Sequence, residues 1–379
     1  MKLGLVTHYM PPHKGGIEHV AEVLFSAYTD AGVAVRWIAS RVPHSAPARD
    51  GHRLRVRCWN GLERMLGLPL PIWSPAGWRT LSQLVRWADV LHVHDCVYPS
   101  SAVAVALARR AGKPILLTQH VGIRYPMLPV LKWVERAAYA TLGRAVLRSA
   151  SHVVVATPAA ARHITALLDI PPERISAIPN GVDMIRFRPA TPFESQTARE
   201  GLQLPLDRPI VLFAGRLVAT KGIDLVLGVS ERLPGAHFLI VGDGPMQHLL
   251  RQRRENLSWI PAVAPERMPE CYDACDCLLL PARNEGLPLV VQEAMASGRP
   301  GVISEDEAYA SDLIRAGVCL GAQRAEPSLS TQVRRLIEGE ARDMGARARS
   351  YAEAHWDRTR MVDGYLRVLQ DITRRERCR

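Results

Sequence analysis

No stretch of this chain approaches the ~18 consecutive apolar residues of a membrane-spanning helix. The short apolar run in the opening "MKLGLVTHYMPP" is ended by His and Pro, so it reads as a first strand and not as a secretory signal. Cysteine is scarce, with seven in 379 residues, which is no disulfide framework. Cys271, Cys275 and Cys277 cluster, but without a CxxC pair or a nearby histidine they read as small buried apolar residues, not as metal ligands. The GxGxxG dinucleotide pattern, short-period repeats and low-complexity tracts are all missing. Lysine is nearly absent from residues 181–379, where Lys221 stands alone among 26 arginines.

A composition of 47% hydrophobic and 22% charged residues is that of an ordinary globular protein, and the length suits two domains. The net charge of +11 is unevenly placed. Residues 1–180 carry 21 Lys+Arg against 10 Asp+Glu, whereas residues 181–379 carry 27 of each. The N-terminal half is therefore expected to face something anionic, such as a phosphorylated substrate, a phospholipid surface or nucleic acid.

Short strand-like runs alternate with helical patterns. "KLGLVT", "VAVRWIAS", "DVLHVHD", "PILLTQH" and "HVVVAT" come first, and "PIVLFAG", "HFLIVGDGP", "CDCLLLP" and "PGVISE" follow. This βα repetition, run twice, implies two parallel sheets with helices on both faces. The polar, Pro-containing segment 184–208 reads as a linker, with domains at 1–183 and 209–355 and a C-terminal helix at 356–379.

In such sheets ligands bind beyond the carboxyl ends of the strands. Four loops there hold chemistry. In "MPPHKGGIEHV", Gly15 and Gly16 open a helix and let backbone N–H groups approach an anion; the alternative is a plain turn. In "GRLVATKGID", Arg216 and Lys221 suit a diphosphate, Arg by bidentate grip and Lys as a point charge; the alternative is a solvated loop. In "RNEGLPLVVQEAMASGRP", Glu285 lies in the loop and Glu293 inside the helix that follows, among apolar neighbours with no cation at helical spacing. An unpaired buried carboxylate is costly, so a neutral ribose diol donating two hydrogen bonds is an attractive partner; the alternatives are backbone N–H groups or a distant Arg. In "LLTQHVG", His120 ends a strand, as His92 and His94 do in "DVLHVHD"; each could be acid/base, hydrogen-bond donor or core filler.

"NEGLPLVVQEAMASGRP" resembles the E-x7-E signature of the family 4 glycosyltransferases, and "GRLVATKGID", "PPHKGGIEHVAEVL", "ISAIPNGVDMIRFRP" and "FLIVGDGP" resemble that family's segments in order and distance. The resemblance implies the GT-B fold, two Rossmann-like doubly wound parallel-sheet domains facing each other across a cleft, with the C-terminal helix crossing back to the first domain. It implies retention of anomeric configuration, no metal or other cofactor, and a UDP-sugar or GDP-sugar donor. Arg216 and Lys221 would bind the diphosphate, Glu293 the ribose, and Glu285 the transferred sugar. Gly286, Leu287 and Leu289 would offer backbone N–H groups, Gly15 and Gly16 would approach the phosphate, and His120 would sit beside the reacting carbon. Pro288 stands where many members have glycine and cannot donate an N–H.

On the acceptor side, Lys132, Arg136, Arg144 and Arg148 fall on one helical stripe, and residues 53–87 interleave Arg53, Arg55, Arg57, Arg64, Arg79 and Arg86 with Trp59, Trp73, Trp78 and Trp87. Basic and aromatic residues together suit an anionic interface. The expectation is a cytoplasmic enzyme of envelope polysaccharide or glycolipid synthesis, peripheral at the inner face of the plasma membrane, with a lipid-linked or glycan acceptor. The rivals are a soluble small-molecule glycosyltransferase, a glycosidase using both glutamates, a non-catalytic sugar-nucleotide binder and a nucleic-acid binder.

Overall fold

The computed structural model describes residues 1–13, 15–41, 51–61, 71–120, 137, 139–252 and 254–377. The chain divides into two compact units, Met1–Asn180 with Thr359–Arg379, and Gly181–Arg358.

The first unit is built on β1 (Lys2–Val6), β2 (Ala34–Ser40), β3 (Arg53–Val56), the short antiparallel pair β4 (Cys58–Trp59) and β5 (Ile72–Trp73), then β6 (Val90–His94), β7 (Ile115–Gln119), β8 (His152–Val155) and β9 (Ile175–Ala177). Seven of them form one parallel sheet in the order β3-β2-β1-β6-β7-β8-β9. β6 and β7 are buried at every position, as central strands covered on both faces must be. The core gathers Leu91, Val93, Leu117, Val153 and Val155 with Leu81, Leu84, Val105 and Val146 from the covering helices. The C-terminal helix Arg358–Arg377 contributes buried Met361, Tyr365, Leu369 and Ile372. Tyr365 Oη lies 3.1 Å from Thr118 Oγ1 of β7.

The second unit holds β10 (Ile210–Ala214), β11 (His237–Val241), β12 (Leu257–Ile260), β13 (Cys277–Leu280), β14 (Gly301–Ser304) and β15 (Cys319–Ala322), all parallel in the order β12-β11-β10-β13-β14-β15. This is the doubly wound order, with its reversal between β10 and β13. Segment 184–208, expected as a linker, contains the helix Pro192–Gly201. Thr191 and Glu194 close a capping box at its start, and Arg199 pairs with Asp276 at 3.0 Å, so the segment is part of the second unit. Weak apolar periodicity hid a helix fixed by its cap and one ion pair.

Of the four interleaved tryptophans only Trp59, at 55% exposure, is open to solvent. Trp73 is buried and donates to Ser40 Oγ at 2.7 Å, and Trp78 and Trp87 pack against the core. Arg53 pairs with Glu22, and Arg55 donates to the Pro11 carbonyl at 3.2 Å. Trp73, Arg53 and Arg55 are therefore engaged within the unit, whereas Arg57, Arg79 and Arg86 are exposed. Arg64 and, on the expected basic stripe, Lys132 and Arg136 lie outside the described residues.

Candidate active site

In each sheet the chain-order reversal leaves a gap above the carboxyl ends of two strands, where the connections run to opposite faces. In the second unit these are the exits of β10 and β13, from which Arg216, Lys221, Glu285 and Glu293 all come.

The exit of β10 is shaped by glycine. Gly215 and Gly222 have φ of 151° and 74°. A Cβ on Gly222 would lie 2.6 Å from the Pro281 carbonyl oxygen, so this loop presses directly on the exit of β13. The Arg283 N–H donates to the Thr220 carbonyl at 2.8 Å and ties the two loops together. Lys221 Nζ sits 2.9 Å from Glu285 Oε1, with the two side chains 18% and 14% exposed. Arg216 is exposed and makes no ion pair among the described residues.

Glu285 is positioned by a residue that sequence reasoning missed. Glu307, just beyond β14, accepts from the N–H groups of Asn284 and Glu285, each at 2.7 Å. Asn284 is left-handed there, with φ of 62°. Burial raises the Glu307 carboxyl, and the two backbone donors oppose that rise. The signal was an acidic run, "SEDEAY", leaving a strand at the ligand end of a parallel sheet. Pro288 stands one residue outside the helix Leu289–Ala296, in extended backbone, so it is the cap and not part of the first turn. Leu287 is buried, and Gly286 and Leu289 flank that cap.

Glu293 does have a protein partner. Tyr272 Oη donates to its Oε2 at 2.8 Å. Burial lifts the carboxyl to about 7, against the Tyr272 hydrogen bond and the charge of Arg186. The missing cation along the helix is thus supplied in part from Arg186, whose own Nη2 is buried without a partner among the described residues. Residues 21 and 107 positions away cannot be seen by helical spacing.

In the first unit, Gly15 and Gly16 are exposed at the start of the helix Gly16–Asp30, as expected of a βα turn. A side chain on Gly15 would collide with the Glu18 carboxylate. Burial would raise Glu18, but a 2.9 Å contact with His13 and the charges of His8 and His13 hold it below the usual carboxylate range. His120 follows β7, with its N–H donating to Asp95 Oδ1 at 2.9 Å. His94 Nδ1 and His120 Nε2 are 2.7 Å apart, one donating to the other, and His92 Nε2 lies 2.7 Å from Thr118 Oγ1. Burial pushes His120 down to about 4 and His92 to about 3, so both imidazoles are neutral near pH 7. The three histidines form one chain of contacts and not three separate core fillers.

A family model described as Glycosyltransferase Family 4 matches residues 14–186, and one described as Glycosyl transferases group 1 matches residues 194–355. The chain belongs to the family 4 glycosyltransferases. This family member is 32% identical to a D-inositol 3-phosphate glycosyltransferase of Xylanimonas cellulosilytica over 57% of its own chain and 55% of the relative. It is 28% identical to the Acidothermus cellulolyticus protein of the same name over 75% of its chain and 67% of the relative. The matches thus span half to two thirds of the length of these curated relatives. Among solved structures, sucrose-phosphate synthase from Thermosynechococcus elongatus aligns over 98% of both chains with a TM-score of 0.76 at 19% identity. Anabaena HepE in complex with UDP and glucose aligns over 98% of this chain and 100% of the other, with a TM-score of 0.76 at 17% identity. The fold is GT-B, two Rossmann-like parallel-sheet units.

Proposed function

We propose that this chain transfers a hexose or N-acetylhexosamine from a UDP-sugar or GDP-sugar to a lipid-linked or glycan acceptor in envelope polysaccharide or glycolipid synthesis, with retention of configuration and without a metal. The observation that carries the reading is the Lys221–Glu285 pair at the reversal of the second sheet, with Glu293 on the helix that follows. A diphosphate is a stronger partner for an ammonium than one carboxylate, because it brings more negative charge and more acceptor oxygens. Its arrival draws Lys221 away and frees Glu285 to accept from a hydroxyl of the transferred sugar. Arg216, unpaired among the described residues, adds the second cation and opposes the charge that develops on the leaving diphosphate. Glu293 receives the ribose hydroxyls beside Tyr272. Gly286, Leu287 and Leu289 offer backbone N–H groups, and Gly15 and Gly16 do the same at their helix start. His120 is neutral at physiological pH and acts by hydrogen bonding, not as a charged acid. The leaving phosphate serves as base toward the acceptor, so no covalent enzyme intermediate is required.

Thermal shift with UDP and GDP tests the donor site. Stabilisation by one of them that is lost in Lys221→Ala supports the reading, and no response of the unaltered protein to either counts against it. A soluble phosphorylated polyol is the second acceptor reading, favoured by the names of the inositol-phosphate relatives and by the burial of Trp73. Co-sedimentation with anionic liposomes at low salt decides between them. Binding that fades as salt rises supports a membrane-held acceptor, because exposed charges are screened beyond ~10 Å at 0.1 M. Absence of binding removes the peripheral-membrane role.

A further inference from the structure

We propose that the first unit carries a second anion site, specific for phosphate, at the amino-terminal edge of its sheet. His120 follows the carboxyl end of β7, and this cavity opens at the other end of the same strand, beside Ile115. Five residues of strand separate the two by roughly 16 Å. The cavity, of about 420 Å3, is lined by Arg109, Lys113, Arg174 and Arg375, with Ser149 and Ser151 between them. A neighbouring cavity shares Arg109 and Ser149 and adds Arg148.

Two observations separate this from an ordinary solvated patch. Among the described residues none that lines the cavity is acidic, so the positive charges there converge without a described carboxylate beside them. Asp371, one turn before Arg375 on the same helix, acts on His152 together with Arg375 and Arg174 but does not line the cavity. Like charges gathered in one concavity repel, and an anion there relieves that repulsion. Three of the guanidinium groups, those of Arg109, Arg174 and Arg148, are also held in place. Arg109 donates to Ser149 Oγ at 3.2 Å, Arg174 donates to the carbonyls of Ala150 and Arg148, and Arg148 donates to the Leu168 carbonyl at 2.8 Å. Guanidinium groups fixed by carbonyls on one side lose little freedom on gripping an oxyanion with the other. The Ser149 hydroxyl donates to the Ala145 carbonyl at 2.6 Å, and the Ser151 hydroxyl, which accepts from the Ile115 N–H at 3.1 Å, keeps its own hydrogen for an oxyanion, which suits phosphate better than a spherical halide. Buried His152 feels the same field. After burial, the charges of Arg375 and Arg174 help hold it at about 4.

The phosphate could be free or could belong to a lipid headgroup, and the test separates the two. Full-length protein is titrated with inorganic phosphate at low ionic strength, with chloride at matched ionic strength as control. It is also sedimented with phosphatidylglycerol–phosphatidylcholine vesicles. The comparison variant is R109Q/R375Q, with K113Q as a milder second. These side chains are not buried, so the fold is expected to survive, and an unchanged far-ultraviolet circular dichroism spectrum verifies it. The expected result is a phosphate-specific response that is about tenfold weaker in R109Q/R375Q. Loss of vesicle binding in the same variant identifies a headgroup, and retained vesicle behaviour identifies free phosphate. Equal phosphate responses in unaltered protein and R109Q/R375Q, or equal responses to phosphate and chloride, overturn the site. The site does not depend on transferase activity, and the donor-site test can fail without affecting it.

Discussion

At Glu293 one side chain joins burial, a phenol and a charge. Its raised carboxyl binds a proton more tightly in the folded chain than in the unfolded one. The folded state therefore holds more protons between about 4.5 and about 7, and this group's contribution to stability falls as pH rises through that window. The slope is at most about 1.4 kcal/mol per pH unit. In Glu293→Gln that slope disappears, which urea unfolding at pH 5 and pH 7.5 would measure. The same variant keeps one acceptor oxygen and loses the anionic one, so UDP or GDP affinity is expected to drop about tenfold. Unchanged affinity would contradict the ribose role. Lys221 and Glu285 are different in kind. They pair with each other at 2.9 Å, so on the proposed reading a diphosphate must draw Lys221 away before Glu285 accepts from a sugar hydroxyl.

At the scale of elements, the site depends on two strand exits touching through glycine. Gly222 has φ of 74° and presses on the Pro281 carbonyl, so both the conformation and the space exclude a side chain. Gly242, with φ of 146°, does the same against the Gly215 carbonyl. Gly222→Ala is expected to cost about 1–3 kcal/mol from strain. It is also expected to part the loops that hold Lys221 beside Glu285, so the nucleotide-induced thermal shift falls by more than the stability loss alone explains. A melting point lowered with an intact nucleotide response would mean that the loops are set independently.

At the scale of the whole molecule, the two units titrate in opposite directions. His92, His94 and His120 are buried and pushed below their ordinary value of 6.5. Between roughly pH 6.5 and pH 4 the unfolded chain binds protons that these folded histidines refuse. The first unit therefore loses stability as pH falls through that range and has it fully above. Glu293, with Asp273 and Glu307 raised alike, gives the second unit the reverse slope, and the lowered His237 offsets part of it. Hydrogen exchange of peptides from each unit at pH 5 and pH 7 is expected to show slower opening of the first unit at pH 7, and faster opening of the second, after correction for intrinsic rates. Both units moving together would refute the assignment of these groups.

The sequence alone determined the doubly wound pattern, because fully buried strands such as Ile210–Ala214 and Cys277–Leu280 must be written as continuous apolar runs. It also determined the glycine and cation spacing of the β10 exit, which is local along the chain. The outer strands β3, β9, β12 and β15 were not legible, since short or edge strands carry little apolar signal. The helix Pro192–Gly201, with no buried residue, was missed for the same reason. Tertiary structure decided what pairs with what. Tyr272 and Arg186 reach Glu293, Glu307 holds the Glu285 loop, and His94 meets His120. The Glu307 and His94 contacts join residues from neighbouring strands, Tyr272 reaches Glu293 from the helix Met268–Ala274, and only the order of strands and the packing of helices on the sheet bring such residues together.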